Sequence, residues 1–138
     1  MSEYKRPLPQ VYDYTRPFWE AAKKGVLTIQ RCRNCGAYRW YPRPSCVECG
    51  SLEFDWTPSK GEGTVYSYTV IRRVVANSPD FQRDIPFTVA EVDLDEGVRV
   101  YGRVEGVSPE EVRTGMRVKV SFEPATNDIT LYKFTPLK

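Results

Sequence analysis

From Gly61 onward the chain alternates apolar and polar residues. Over 61–73, GEGTVYSYTVIRR, the alternation sets Val65, Ser67, Thr69 and Ile71 on one side and Tyr66, Tyr68 and Val70 on the other. This period of two predicts a strand. The run PFTVAEVDL (86–94), the turn Asp95-Glu96-Gly97 and the run VRVYGRVEG (98–106) predict a hairpin, with Val98, Val100 and Val104 on its inner face. SPEEVRTG (108–115) opens with a serine cap, a proline and two glutamates and closes on glycine, the start and stop signals of one short helix. MRVKVSFEP (116–124), with Met116, Val118, Val120 and Phe122 inward, and ITLYKF (129–134) complete five strands. Three strands, a short helix and two strands is the order of an OB-fold barrel; another small β-sandwich is the competing arrangement. The connection VVANSPDFQRDIP (74–86) is long for a hairpin, which marks it as functional or mobile, and Phe81 near its tip is placed to insert into a partner or ligand.

The N-terminal third follows a different period. YTRPFWEAAKKG (14–25) predicts a helix in which Thr15 caps, Pro17 lies in the first turn and Gly25 stops the chain. A helix of this length is marginal alone in water. With its lead-in it carries Tyr12, Tyr14, Phe18 and Trp19, an aromatic surface that must pack on the rest of the chain or on another protein. No Gly- or Ser-rich linker interrupts the chain, so the expected segments, 1–25 (helical), 26–58 (ribbon) and 59–138 (barrel), form one continuous unit.

Between helix and barrel lies RCRNCGAYRWYPRPSCVECGS (31–51). Cys32 and Cys35 precede Gly36, and Cys46 and Cys49 precede Gly50. Two Cys-x-x-Cys-Gly units facing each other are the pattern of paired zinc knuckles, the glycines allowing a tight turn after each pair. Four thiolates close a tetrahedron and leave no position for water, so the implied Zn2+ is structural. Iron held by the same ligands is not separated from zinc by the sequence. The chain has no apolar run that would serve as a signal peptide or membrane span, and the expected compartment is the reducing cytoplasm, where clustered cysteines bind metal.

The metal alters the charge. The formal net charge is +2; four thiolates and one zinc ion bring it to about zero, and Arg31, Arg33, Arg39 and Arg43 become screening for an anionic cluster. No histidine is present among the 138 residues, which excludes a Ser-His-Asp triad, a Cys-His pair and any imidazole base. Glu91, Asp93 and Asp95 alternate along one strand and its turn as a solvated face, so no catalytic residue is named. A single-stranded nucleic-acid module, with Tyr66, Tyr68, Phe87 and Tyr101 as stacking platforms, is the alternative; the near-zero charge and the acidic run EVDLDEG (91–97) oppose it.

The aromatic helix, GVLTIQRCRNCGAYRWYPRPSCVECGS, Trp56 with GEGTVYSYTV, and LYKFTP together resemble the acyl-CoA-associated zinc-ribbon/OB-fold family, domain of unknown function thirty-five, from about Phe18 to Pro136. YPRP (41–44) is a mild departure from its pattern. The resemblance implies a mainly β chain that is a non-catalytic subunit without activity alone, docked on a thiolase-superfamily enzyme (thiolase, aldol lyase or acyltransferase) and helping to enclose an acyl-CoA. On that basis Phe18, Trp19, Tyr38, Trp40, Tyr41 and Phe81 are candidate partner contacts, and Arg43, Lys60, Arg72 and Arg73 candidates for the CoA phosphates.

Overall fold

In the computed structural model, residues 4, 6–74 and 78–137 are described. The eight-residue helix α1 (Arg16–Lys23) buries Phe18 and Ala22 on one face. Thr15 does not cap it through its side chain. Its hydroxyl instead turns back, accepting from the Tyr12 N–H at 3.0 Å and donating to the Tyr12 carbonyl at 3.1 Å. Three short strands follow: β1 (Thr28–Cys32), β2 (Tyr38–Arg39) and β3 (Phe54–Pro58), paired antiparallel in the order β2-β1-β3.

The second sheet closes on itself. β4 (Glu62–Ile71), β5 (Phe87–Leu94), β6 (Arg99–Val104), β7 (Arg117–Pro124) and β8 (Thr130–Pro136) form a barrel in the order β4-β5-β6-β8-β7, with β6 and β8 parallel. This is the five-stranded OB-fold. Val92, Val100, Val118 and Phe134 fill its interior and are each fully buried. Val98, Val100 and Val104 face inward as the alternation predicts, and Gly97, at φ 98°, closes the β5–β6 turn. Among the described residues no helix is long and apolar enough to cross a membrane.

Three local expectations change. The strand predicted over 61–73 is broken in phase by a bulge between Val65 and Ser67, after which Tyr66 to Thr69 are all exposed. Tyr and Ser are tolerated on either face, so nothing in the alternation marks the slip. The helix predicted over 108–115 is a single 3-10 turn, Pro109–Glu111, with Ser108 and Glu111 forming its capping box. The capping signals are right, but Val112 is fully buried and leaves the helical path to enter the barrel. The connection 74–86 contains a one-turn helix, α2 (Pro79–Gln82), while residues 75–77 lie outside the described residues.

An ionic ring ties the N-terminal lead-in to the barrel. Arg6 pairs with Asp84; Arg103 meets Asp84 at 3.0 Å and Glu105 at 3.7 Å; Lys133 meets Glu105 at 2.7 Å and Glu123 at 3.7 Å; and Glu123 returns to Arg6 at 3.5 Å. Three cations and three anions alternate, so the ring is neutral and each charge has two opposite neighbours. Burial works to raise the Asp84 carboxyl, but Arg6 and Arg103 outweigh it and hold it below the usual carboxylate range. A depressed folded value contributes stability above the unfolded value of about 4 and loses it as pH falls through the folded one. Arg6→Gln is therefore expected to lower the melting temperature at pH 7, and to lower it by less as the pH falls and Asp84 takes up its proton. An effect that does not shrink with falling pH would show that Asp84 does not carry the interaction.

Candidate functional site

The four cysteines come together as their spacing predicts. Their Sγ atoms all lie within 4.8 Å of one another, with Cys32 to Cys49 and Cys35 to Cys46 both at 3.6 Å. A tetrahedron of thiolates at Zn–S of about 2.3 Å has edges of about 3.8 Å, so the donor set fits one zinc ion. Gly36 and Gly50 adopt φ 75° and 79°, and their N–H groups donate to the Cys32 and Cys46 carbonyls at 3.0 and 2.9 Å. These are the two tight turns that the sequence requires of glycine. The turned backbone aims donors at sulfur: Cys35 N–H at Cys32 Sγ (3.5 Å), Glu48 N–H at Cys46 Sγ (3.4 Å) and the Asn34 side-chain amide at Cys49 Sγ (3.4 Å). The Cys35 amide, against the effect of burial and helped by Asn34, draws the Cys32 thiol down to about 6; the Cys49 and Glu48 amides lower Cys46. Both shifts favour the thiolate form that a metal binds, whereas at Cys35 the Ala37 amide is outweighed by burial and by the thiols of Cys46, Cys32 and Cys49, which push the group up to about 12.

Two buried polar residues fix the segment between the knuckles. Gln30, in the middle of β1, accepts from Arg43 N–H at 2.7 Å and from Arg39 Nε at 2.8 Å, and donates to the Arg43 carbonyl at 3.0 Å. Arg39, also buried, donates to that carbonyl at 2.9 Å and lies 4.6 Å over the Phe54 ring. Sequence reading missed this clamp and assigned Arg39 to screening the metal. The available signal was a glutamine in an otherwise buried strand. Replacing Gln30 by Leu leaves the Arg39 guanidinium without its side-chain acceptor and is expected to destabilise the chain by roughly 1–3 kcal/mol. A denaturation midpoint unchanged from wild type would refute the clamp.

The clamp and the four-cysteine cluster together present Trp40 and Tyr41. With Tyr12, Tyr14, Trp19 and Tyr132 these rings line a groove of about 450 Å3, whose polar contributors are Gln10 and Thr15. Tyr12 and Tyr14 are stacked at 5.8 Å, as are Trp40 and Tyr41 at 6.0 Å. Tyr41 is 58% and Tyr12 53% exposed, so apolar ring surface stands open to solvent on both walls. The Tyr132 hydroxyl donates to the Tyr101 carbonyl, and burial raises its pKa, so it remains a neutral donor.

The remaining candidates divide. Phe18 is only 3% exposed and is a core residue rather than a contact: its ring meets Trp19, Trp40, Trp56 and Tyr132. Tyr38 is half-buried against the core, with Arg31 5.0 Å over its ring. Phe81 is half-buried beside Phe87 and does not project from its loop. Arg43, Lys60, Arg72 and Arg73 are all exposed. Lys60 precedes β4, where its N–H donates to Glu96; Arg72 and Arg73 follow β4, with Arg72 3.5 Å from Glu110. A ten-residue strand at about 3.3 Å per residue allows at most roughly 30 Å between Lys60 and the Arg72–Arg73 pair. Of the stacking candidates, Tyr66 lies beneath Arg99 at 3.4 Å and Phe87 beneath Arg103 at 3.9 Å, while Tyr68 and Tyr101 are open.

Residues 19–55 match the family of the ChsH2 rubredoxin-like zinc ribbon domain, and residues 56–123 that of the ChsH2 C-terminal OB-fold domain. The chain belongs to this zinc-ribbon/OB-fold family. It is 38% identical over 133 residues to a probable enoyl-CoA hydratase alpha subunit of Thermomonospora curvata, covering 95% of this chain and 40% of that one. It thus spans less than half the length of that relative. A DUF35 domain-containing scaffold protein of Methanocaldococcus jannaschii is 34% identical, covering 87% of this chain and 89% of its own. The benzoylsuccinyl-CoA thiolase subunit BbsA of Geobacter metallireducens is 31% identical, over 94% and 90% of the two chains. A solved structure, the Ltp2-ChsH2(DUF35) aldolase, superposes with a TM-score of 0.80 at 34% identity, covering 94% of this chain and 98% of that one.

Proposed function

We propose that this chain is a non-catalytic subunit that docks on a thiolase-superfamily enzyme and helps to enclose its acyl-CoA. The observation that carries the reading is the open aromatic groove walled by Trp40 and Tyr41 on one side and by Tyr12 and Tyr14 on the other. Exposed aromatic rings on a rigid frame are what the centre of a protein interface is built from. The frame here is rigid for a stated reason, because Trp40 lies five residues beyond Cys35 and the Gln30 clamp fixes Arg43 three residues further on. The names of the relatives support the same class of partner: one is a thiolase subunit, one a hydratase subunit and one a scaffold protein. Zinc has no direct part in catalysis in this reading; its four thiolates close the coordination sphere and shape the docking loop.

The test is co-expression with a thiolase-like enzyme of the same genome. The two should co-elute as a stoichiometric complex, and the enzyme should lose activity toward its acyl-CoA when this chain is withheld. If the two elute separately and the enzyme alone is fully active, the subunit reading fails.

A further inference from the structure

The bulge in β4 has a consequence for the closed barrel. β7 pairs with β4 only over Glu62 to Thr64, and the last bonds on that side are Val65 N–H to the Met116 carbonyl (2.9 Å) and Gly115 N–H to the Val65 carbonyl (2.8 Å). Beyond Val65, β4 continues to Ile71 paired with β5 alone. Among the described residues no strand covers its other edge, so the amides and carbonyls of residues 66–71 that point away from β5 have no partner strand.

This edge lacks the usual protection. Open edges in soluble proteins are blunted by charges, prolines or a covering element, because unpaired amides and carbonyls recruit other strands. Tyr66-Ser67-Tyr68-Thr69-Val70-Ile71 contains no charge and no proline, is rich in aromatic and β-branched residues, and is exposed from Tyr66 to Thr69. Only its end is charged. Arg72 is weakly paired to Glu110 at 3.5 Å, and Arg73 is exposed.

We infer that the outer edge of β4, residues 66–71, is a strand-addition site for an extended segment of the partner protein, with an acidic residue of that segment meeting Arg72 and Arg73. Backbone bonds along the edge supply the attraction and the arginines fix the position of the incoming segment. A second copy of this chain fits less well, since its own edge carries no carboxylate to answer the arginines. The inference rests on the subunit reading above but names a surface separate from the aromatic groove.

Hydrogen exchange tests it on the complex of this chain with the thiolase-like enzyme. The outward amides within 66–71 should exchange at least tenfold more slowly in the complex than in the free chain, and Thr69→Lys, at an exposed position, should weaken the complex about tenfold at unchanged melting temperature. A complex that forms with those amides unchanged, and that tolerates Thr69→Lys, overturns this inference and leaves groove docking intact. Failure to form any complex overturns both. A concentration-dependent dimer of the free chain that Thr69→Lys abolishes would assign the edge to a second copy and overturn the hetero-partner assignment.

Discussion

Removing the metal is expected to unfold the ribbon and, with it, the 37–44 loop that carries Trp40 and Tyr41. The three-stranded sheet consists of strands of five, two and five residues, too few to bury a core of their own, and its outer strand is the pair Tyr38–Arg39. What holds the two knuckles together is the tetrahedron of Cys32, Cys35, Cys46 and Cys49. Structural zinc contributes on the order of 10 kcal/mol or more to small sites of this kind. A loss of only about 4 kcal/mol would lower the melting temperature by roughly 10–20 °C in a chain of this size. Cys46→Ser, or treatment with a strong chelator, should therefore cost at least that shift, and elemental analysis of the untreated protein should give one zinc per chain. A metal-free preparation with an unchanged melting curve would contradict this account of the ribbon.

The second large effect is expected at Phe18. Its ring centre lies 5.0 Å from Trp19, 5.5 Å from Trp40, 6.0 Å from Tyr132 and 6.5 Å from Trp56, mostly in edge-on contacts. These neighbours come from the helix, the ribbon and the barrel, and Tyr132 continues the cluster to Phe134 at 6.0 Å. Phe18 is thus the point where the three parts share one core. Phe18→Ala should destabilise the chain by about 3–5 kcal/mol, as for other large aromatic truncations in cores, and Phe18→Leu by less. Measured by denaturant unfolding, a loss under about 1 kcal/mol for the alanine variant would show that helix α1 is not anchored through this ring.

The parts of this molecule that were legible in the sequence are those whose physics is local. The Cys-x-x-Cys-Gly units fix both the donor set and its turns, and period-two alternation places Val100, Val104 and Val118 inside a barrel. Capping signals mark Ser108 and Glu111, although the chain then leaves the helix because Val112 is drawn into the barrel. What was not legible depends on residues distant in the chain. The ionic ring joins side chains as far apart as Arg6 and Glu123, and nothing local to either announces the other. Phe18 and Trp19 are adjacent aromatics of the same helix; only the positions of Trp40, Trp56 and Tyr132 decide that one is core and the other groove. Nor does the sequence show how far apart the candidate phosphate contacts stand, since Lys60 and Arg72 lie at the two ends of a long strand.

The most direct test of the subunit reading compares the zinc-loaded chain with its Tyr41→Ala variant for binding to the purified thiolase-like enzyme. Tyr41 is 58% exposed at the lip of the groove, so its removal should leave zinc content and melting temperature unchanged. The expected result is a loss of affinity of tenfold or more for Tyr41→Ala, as for an aromatic at the centre of an interface. Equal affinity of the two proteins would contradict docking through the aromatic groove.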